Sequence, residues 1–329
     1  MQEFTISKNE AGLRFDKYLA KLLDRAPQSV IQKSLRKKNI LLNGKKADGS
    51  DKTQLGDRVQ IYMRDETIAM FRRTDPAAKG RSETAVSGSA GKKASGKPSI
   101  RVPILYEDEH VLVLNKPAGL LSQKAKPGDV SVVDFVLDHY AGKPHDPSEL
   151  FVPGICNRLD RNTDGLMLAG MSLAGSQELN RIVKDRSLQK FYLCVVEGAV
   201  TKPDVLKGFL RKNVKTNKVS ISDDPDLGEA IETEYEPVSA NERFSVLKVH
   251  LITGKTHQIR AHLASIGHPL VGDSKYNKNA GKQGRPLLHS WQMHFPQMQG
   301  TLEHLSGRIF EAPIPEDILT FIKEENLHI

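Results

Sequence analysis

Asn157-Arg158-Leu159-Asp160-Arg161-Asn162-Thr163-Asp164-Gly165-Leu166-Met167-Leu168 sets one carboxylate, Asp160, between two arginines and runs on into an apolar segment. The polar half reads as a loop. Leu166-Met167-Leu168 after Asp-Gly lacks helical spacing and reads as a core strand. Working outward, Val111-Leu112-Val113-Leu114 is another buried strand, ending at Lys116-Pro117, and Tyr192-Leu193-Cys194-Val195-Val196 is a third. Ser245 to Leu251 alternates apolar and polar over a full strand, while Phe209-Leu210 and Val219-Ser220-Ile221 flank a polar turn as a hairpin would. Helical spacing is confined to Val132–Tyr140, Leu173–Lys184 and His257–Ile266. Many strands with scattered helices predict an α+β domain on a mixed, largely antiparallel sheet over residues 100–329.

The front of the chain reads differently. Leu13 to Leu23 has the spacing of a short amphipathic helix. Pro27 suits the first turn of a second one, with Val30, Ile31 and Leu35 inward and Lys33, Arg36 and Lys37 outward. Ile40-Leu41-Leu42 runs into Asn43-Gly44, a two-residue hairpin signal, because both turn positions need positive φ. Val59, Ile61 and Met63 alternate as a half-buried strand. Residues 1–65 are therefore expected to form a small α/β unit near the lower size limit for independent folding. Residues 66–99, above all the Gly/Ser/Ala/Lys stretch 74–99, are expected to be a flexible basic tether, since such a composition buries too little to offset its ordering entropy.

Charge supports the division. The 329 residues carry a formal net charge of +8, yet residues 1–99 hold 21 Lys and Arg against 11 Asp and Glu, and the remainder holds 27 against 29. Lys33, Arg36, Lys37, Lys38, Lys45 and Lys46 lie between Gln28 and Lys46 with no acid among them. A one-sign cluster on a small unit points to a polyanion, RNA or DNA, gripped by phosphate contacts. No run of about 18 apolar residues occurs, which argues against a membrane-spanning helix. The N-terminus has neither a basic nor an apolar leader region, so a cytoplasmic protein is expected. Two unpaired cysteines, Cys156 and Cys194, leave no material for a disulfide scaffold or a structural zinc site.

Three motif matches fail on chemistry. Asp160-Arg161-Asn162-Thr163-Asp164-Gly165 opens like a calcium loop, but the twelfth position is Met171 rather than a bidentate Glu. Gly254-Lys255-Thr256 resembles the end of a phosphate-binding loop, but the earlier glycine is replaced by Val249. His257 and His262 stand five apart, off one helix face, and read as ordinary polar or core histidines.

Three segments remain. Taken singly, Asp160 among its arginines reads as a surface ion pair and Lys190-Phe191-Tyr192 as packing. Thr256 is placed to cap a helix whose apolar side is Ile259, Leu263 and Ile266, which leaves Arg260 free to point elsewhere. Taken together and in order, Arg158 to Thr163, Lys190-Phe191-Tyr192 and Gly254-Lys255-Thr256-His257-Gln258-Ile259-Arg260 resemble the signature segments of the RluA family of pseudouridine synthases. Asn115-Lys116-Pro117-Ala118-Gly119, Gly267-His268-Pro269 with Gly272-Asp273, Leu288-His289-Ser290-Trp291 and Ala312 to Asp317 support the match. Residues 1–65 resemble the small alpha-L RNA-binding domain that precedes the synthase domain in several members.

The resemblance implies isomerisation of uridine to pseudouridine in RNA, with no cofactor and no metal. It makes Asp160 the catalytic aspartate, leaving open whether it attacks the base or the sugar or acts as a base. Arg260 would be its guanidinium partner, keeping the carboxylate ionised in a dry pocket. Ile259 would pack beneath the base, and Tyr192 would stack on the uracil and take part in proton transfer. Arg158 would fill the gap left by the flipped nucleotide, and Lys116 is expected to bind substrate. The six basic residues of the front unit would bind RNA, large-subunit ribosomal RNA by the resemblance, and a monomer is expected. Two departures stand out. Asn157 replaces the family's usual His, and Asp164 replaces its Ser, an extra carboxylate that could raise the Asp160 pKa or alter RNA contacts. Two other readings remain open: a catalytically silent RNA-binding or ribosome-assembly factor, and a tRNA-directed synthase.

Overall fold

Buried alternation along the strands explains the architecture of the computed structural model, which describes residues 1–72, 101–144, 150–213, 216, 218–280 and 284–329. The described residues of 1–99, 137–153 and 172–174 form one compact unit, and those of 100–136, 154–171 and 175–329 form another.

The first unit carries β1 (Gln2–Thr5), α1 (Phe15–Leu22), α2 (Gln28–Arg36), β2 (Ile40–Leu42), β3 (Arg58–Ile61) and α3 (Asp65–Phe71). Its three strands pair antiparallel in the order β1-β3-β2. Phe15, Leu19 and Leu22 of α1, Ile31 and Leu35 of α2 and Val59 and Ile61 of β3 share one core. Val30 stays half-buried, and Ser34 takes the inward place, its hydroxyl donating to the Val30 carbonyl. Asn43 and Gly44 both adopt positive φ, 52° and 74°. The turn they make closes only a single Leu42–Lys45 bridge, however, and the ladder partner of β2 is β3. A second difference lies at the end of the unit. Residues expected to begin the tether fold as α3, because Ile68 is 1% exposed in this core. The Gly/Ser/Ala/Lys stretch 74–99 lies outside the described residues.

The chain continues with β4 (Ile104–Glu107), β5 (Val111–Lys116), α4 (Val132–Ala141, from Leu137 on part of the first unit), β6 (Gly154–Ile155), β7 (Asp164–Gly170), α5 (Leu173–Lys184, whose first two residues fall in the first unit), β8 (Gln189–Glu197), β9 (Asp204–Asn213) and β10 (Lys218–Ser222). Then come β11 (Glu229–Ala240), β12 (Phe244–Leu251), α6 (Gln258–Ser265), β13 (Leu288–His294), β14 (Ile309–Glu311) and α7 (Glu316–Glu324). An 11-stranded sheet runs β10-β9-β11-β12-β8-β13-β7-β5-β4, with β14 on β13 and β6 on β7. Among the described strands only the β13–β7 pair is parallel, so the α+β fold on a mixed, largely antiparallel sheet is as expected.

Strand alternation sends successive side chains to opposite faces. Leu193 and Val195 of β8 pack with Ile318, Phe321 and Ile322 of α7 on one face. On the other, Met293 of β13 packs with Leu179 and Ile182 of α5. Each such buried side chain contributes roughly 1.5–3 kcal/mol. The β7–β13 crossing depends on Gly165, at φ 105°: a Cβ there would collide with the Ser290 backbone. That close approach brings the loop before β7 alongside β8 and β13. Among the described residues, no helix is long and apolar enough to cross a membrane.

Candidate active site

Leu159 is the buried foot of the loop that carries Asp160. The Ser122 hydroxyl donates to the Leu159 carbonyl at 2.7 Å and accepts from its N–H at 3.0 Å. Arg161 Nε donates to the Gly119 carbonyl at 3.0 Å, and Gly119 N–H returns a bond to the Arg161 carbonyl at 2.8 Å. Here the reading of Lys116 as a substrate-binding residue needs correction. Its side chain is 0% exposed, and Nζ donates to the carbonyls of Pro117, Leu120 and Arg161 at 3.0, 2.8 and 3.0 Å. All three ammonium protons are thereby engaged, so Lys116 holds the loop rather than RNA. Burial lowers its pKa to about 8, partly offset by the charges of Asp164 and Asp160.

Arg260 reaches this loop from α6. Its Nε and Nη2 donate to the two oxygens of Asp273 at 2.7 and 2.8 Å, and Nη1 donates to Asp160 Oδ2 at 2.9 Å. Burial opposes the guanidinium's charge, but the two carboxylates outweigh it and raise its pKa above the ordinary arginine value. Asp273 is 0% exposed and the Asp160 side chain 25%. The arginine is therefore anchored by one carboxylate and presented to the other through charge-assisted hydrogen bonds.

The start of α6 differs from its sequence reading. Thr256 does not cap it; the N-cap is His257, in the left-handed region at φ 54°, with no side-chain cap bond. Gln258 takes over the anchoring. It is 1% exposed, accepts from Thr253 Oγ1 and Lys255 N–H, and donates to the Glu232 carbonyl and Thr233 Oγ1. This strained corner turns His257 toward the site, with Nε2 3.6 Å from Asp160 Oδ2 and Nδ1 2.9 Å from Tyr276 Oη. Val219 N–H also donates to Tyr276 Oη, at 2.9 Å. With the phenol proton given to His257 Nδ1, the imidazole's own proton sits on Nε2, the nitrogen that faces Asp160. Burial lowers the His257 pKa to about 4 against the opposing pull of Asp160, so the ring is neutral at pH 7. Both nitrogens approach Asp160 Oδ2, and Oδ1 has no hydrogen-bond partner among the described residues.

Asp160, Arg158, Tyr192, Ile259 and Arg260 line one cleft of about 790 Å³. Arg158 is exposed at its edge, while Tyr192 and Ile259 are 6% and 4% exposed. Burial pushes the Tyr192 phenol up to about 12, against a hydrogen bond with Ser290. Lys33, Arg36, Lys37, Lys38, Lys45 and Lys46 are all exposed on the first unit, and none lines this cleft.

The two departures have structural explanations. Asn157 Oδ1 accepts from Leu168 N–H at 2.8 Å, a backbone clasp between loop and strand. Asp164 points away from Asp160: its oxygens meet Arg285 Nη2 and His289 Nδ1, each at 2.8 Å. Arg285 also pairs with Asp317 on α7 and donates to the Asn162 carbonyl. The extra carboxylate is thus matched by its own cation, which removes the basis for its acting on Asp160. Sequence reasoning missed Asp273, His257, Tyr276 and Arg285 as supports of the site, because each acts through a partner that only folding brings within reach. Among the described residues, no group of three or more His, Cys, Asp or Glu could hold a metal ion.

Residues 110–265 match the family described as RNA pseudouridylate synthase. The chain is 30% identical over 304 residues to ribosomal large subunit pseudouridine synthase C of Pasteurella multocida, covering 88% of this chain and 85% of that one. It is 28% identical over 333 residues to ribosomal large subunit pseudouridine synthase D of Nitrosomonas europaea, covering 98% and 87%. The solved structure of human RNA pseudouridylate synthase domain containing 4 has the same fold, with a TM-score of 0.55 at 19% identity, covering 69% of this chain and 94% of that one. The fold and site thus define an isomerase that acts on RNA. The chain belongs to the RNA pseudouridylate synthase family, in its RluA branch.

Proposed function

We propose that this pseudouridine synthase modifies large-subunit ribosomal RNA in the cytoplasm, with Asp160 as its catalytic residue. The observation that carries the catalytic assignment is the Asp273–Arg260–Asp160 chain of ion pairs, which presents the Asp160 carboxylate at a cleft large enough for a nucleotide. The ribosomal target is supported by relatives named for the large subunit that align over most of both chains.

In the reaction the bond from uracil N1 to the ribose breaks and a bond from C5 to the same carbon forms; C5 loses its proton and N1 gains one. Asp160 Oδ1 meets the flipped uridine, Arg260 balances its charge, Ile259 packs beneath the base and Tyr192 stacks on it. Arg158 enters the duplex or stack where the uridine was. The first unit acts as an RNA grip through Lys33, Arg36, Lys37, Lys38, Lys45 and Lys46, and the second as the catalytic body. The test is tritium release from carbon-five-labelled uridine in large-subunit, small-subunit and transfer RNA. Release from large-subunit RNA by wild type and not by Asp160→Ala is expected. Release from transfer RNA alone would move the target, and tight binding without release would make the chain a silent assembly factor.

A further inference from the structure

Lys190 is a buried cation without a counter-charge. It is 7% exposed on β8, two residues before Tyr192, so the two side chains leave the same face of the strand about 7 Å apart along it. Both line the cleft. A side chain at Gly254 would meet Lys190 Nζ at 3.6 Å, which places the ammonium between β8 and the loop that leads to His257. Lys190 has no hydrogen-bond or carboxylate partner among the described residues. The charge that acts on it is Arg186, another cation, exposed just beyond α5 and likewise without an acid partner among the described residues. Burial and Arg186 both lower the Lys190 pKa.

A buried ammonium is ordinarily paired, because desolvating an isolated charge is unfavourable. Here the ammonium opens only onto the cleft, and a second cation adds to the uncompensated charge. A neutral base carbonyl would satisfy a donor but leave both charges uncompensated. A phosphodiester supplies the missing anion and sits one strand-step from the base that Tyr192 faces. We propose that Lys190, with Arg186, forms a phosphate subsite that grips the RNA backbone flanking the flipped uridine. The inference rests on Tyr192 marking the place of the uracil.

The test compares wild type, Lys190→Met, Lys190→Arg and Arg186→Ala as full chains, with a large-subunit ribosomal RNA transcript as the probe. Lys190→Met is expected to melt at or above the wild-type temperature, since it removes an unpaired buried charge and keeps the side chain's length. Its KM for tritium release should rise about tenfold or more, the ordinary worth of a charged hydrogen bond. The slope of log affinity against log salt should become shallower by about 0.7 for one lost phosphate contact. Lys190→Arg should keep that slope, and Arg186→Ala should reduce it by up to the same step. An unchanged slope with Lys190→Met overturns the subsite, whether or not KM rises, because a base carbonyl would leave the slope alone. A lower melting temperature with Lys190→Met overturns it too, by making the lysine structural. Absence of release by wild type, with the salt slope still altered by Lys190→Met, would instead count against the catalytic reading and leave the phosphate contact standing.

Discussion

Asp273 and Asp160 share one guanidinium, yet their removal should have opposite consequences. Asp273 is fully buried and takes two parallel bonds from Arg260, at 2.7 and 2.8 Å. Asp273→Asn leaves a buried guanidinium with a neutral neighbour, a change that typically destabilises by about 3–5 kcal/mol. At roughly 2–4 °C per kcal/mol for a unit of this size, the melting temperature should fall by about 6–20 °C. Asp160 takes a single 2.9 Å bond and its side chain is 25% exposed. Asp160→Ala leaves Arg260 its bidentate partner, so the loss should be about 1 kcal/mol or less. Turnover should nonetheless vanish in Asp160→Ala, while the folded fraction of Asp273→Asn keeps reduced turnover because Arg260 is no longer held in place. Paired thermal melts and tritium release read both quantities. If Asp273→Asn melts with the wild type, or if Asp160→Ala loses as many degrees, the division into anchor and working carboxylate is wrong.

Three further outcomes follow from the same geometry. The unfolded chain protonates His257 as pH falls through about 6.5, while the native protein resists until about 4, so stability should be lost across that window, by on the order of 3 kcal/mol. Melts at pH 5 and pH 7.5 should differ less in His257→Asn, a residue that tolerates the left-handed backbone; an equal difference would remove His257 as the cause. Tyr276→Phe deletes the hydroxyl that pairs with His257 Nδ1. Nitrogen-15 spectra of labelled histidine should show a neutral ring protonated on Nε2 in wild type and a tautomer mixture in the variant, and a wild-type ring protonated on Nδ1 would refute the assignment. Neutralising Lys33, Arg36, Lys37, Lys38, Lys45 and Lys46 together should weaken RNA binding and flatten its salt dependence by up to about four, at about 0.7 per phosphate contact. An unchanged salt slope would show that the grip lies elsewhere.

Much of this was readable along the chain because it depends on neighbours in sequence. Core strands such as Val111–Leu114 and Leu166–Leu168, the helices α1 and α2 and the positive-φ turn at Asn43-Gly44 each follow from local spacing or backbone preference. The order of the three signature segments likewise placed Asp160, Tyr192 and Arg260 in one cleft. Where local rules failed, a distant partner had won. Ile68 drew residues of the expected tether into α3, and Gln258 rather than Thr256 set the entrance to α6 through β11.

Tertiary structure alone decided what each charge does. Lys116 and Lys190 are both buried lysines on core strands, and composition cannot tell them apart. Three carbonyls converge on the first, one of them 45 residues away, and none reaches the second. Asp164 and Asp160 stand four residues apart, yet the strand turns them to different cations, Arg285 and Arg260, 121 and 100 residues on. Residue type and spacing determine which chemistry is available. Which atom of it remains free depends on partners that only folding brings within hydrogen-bond reach.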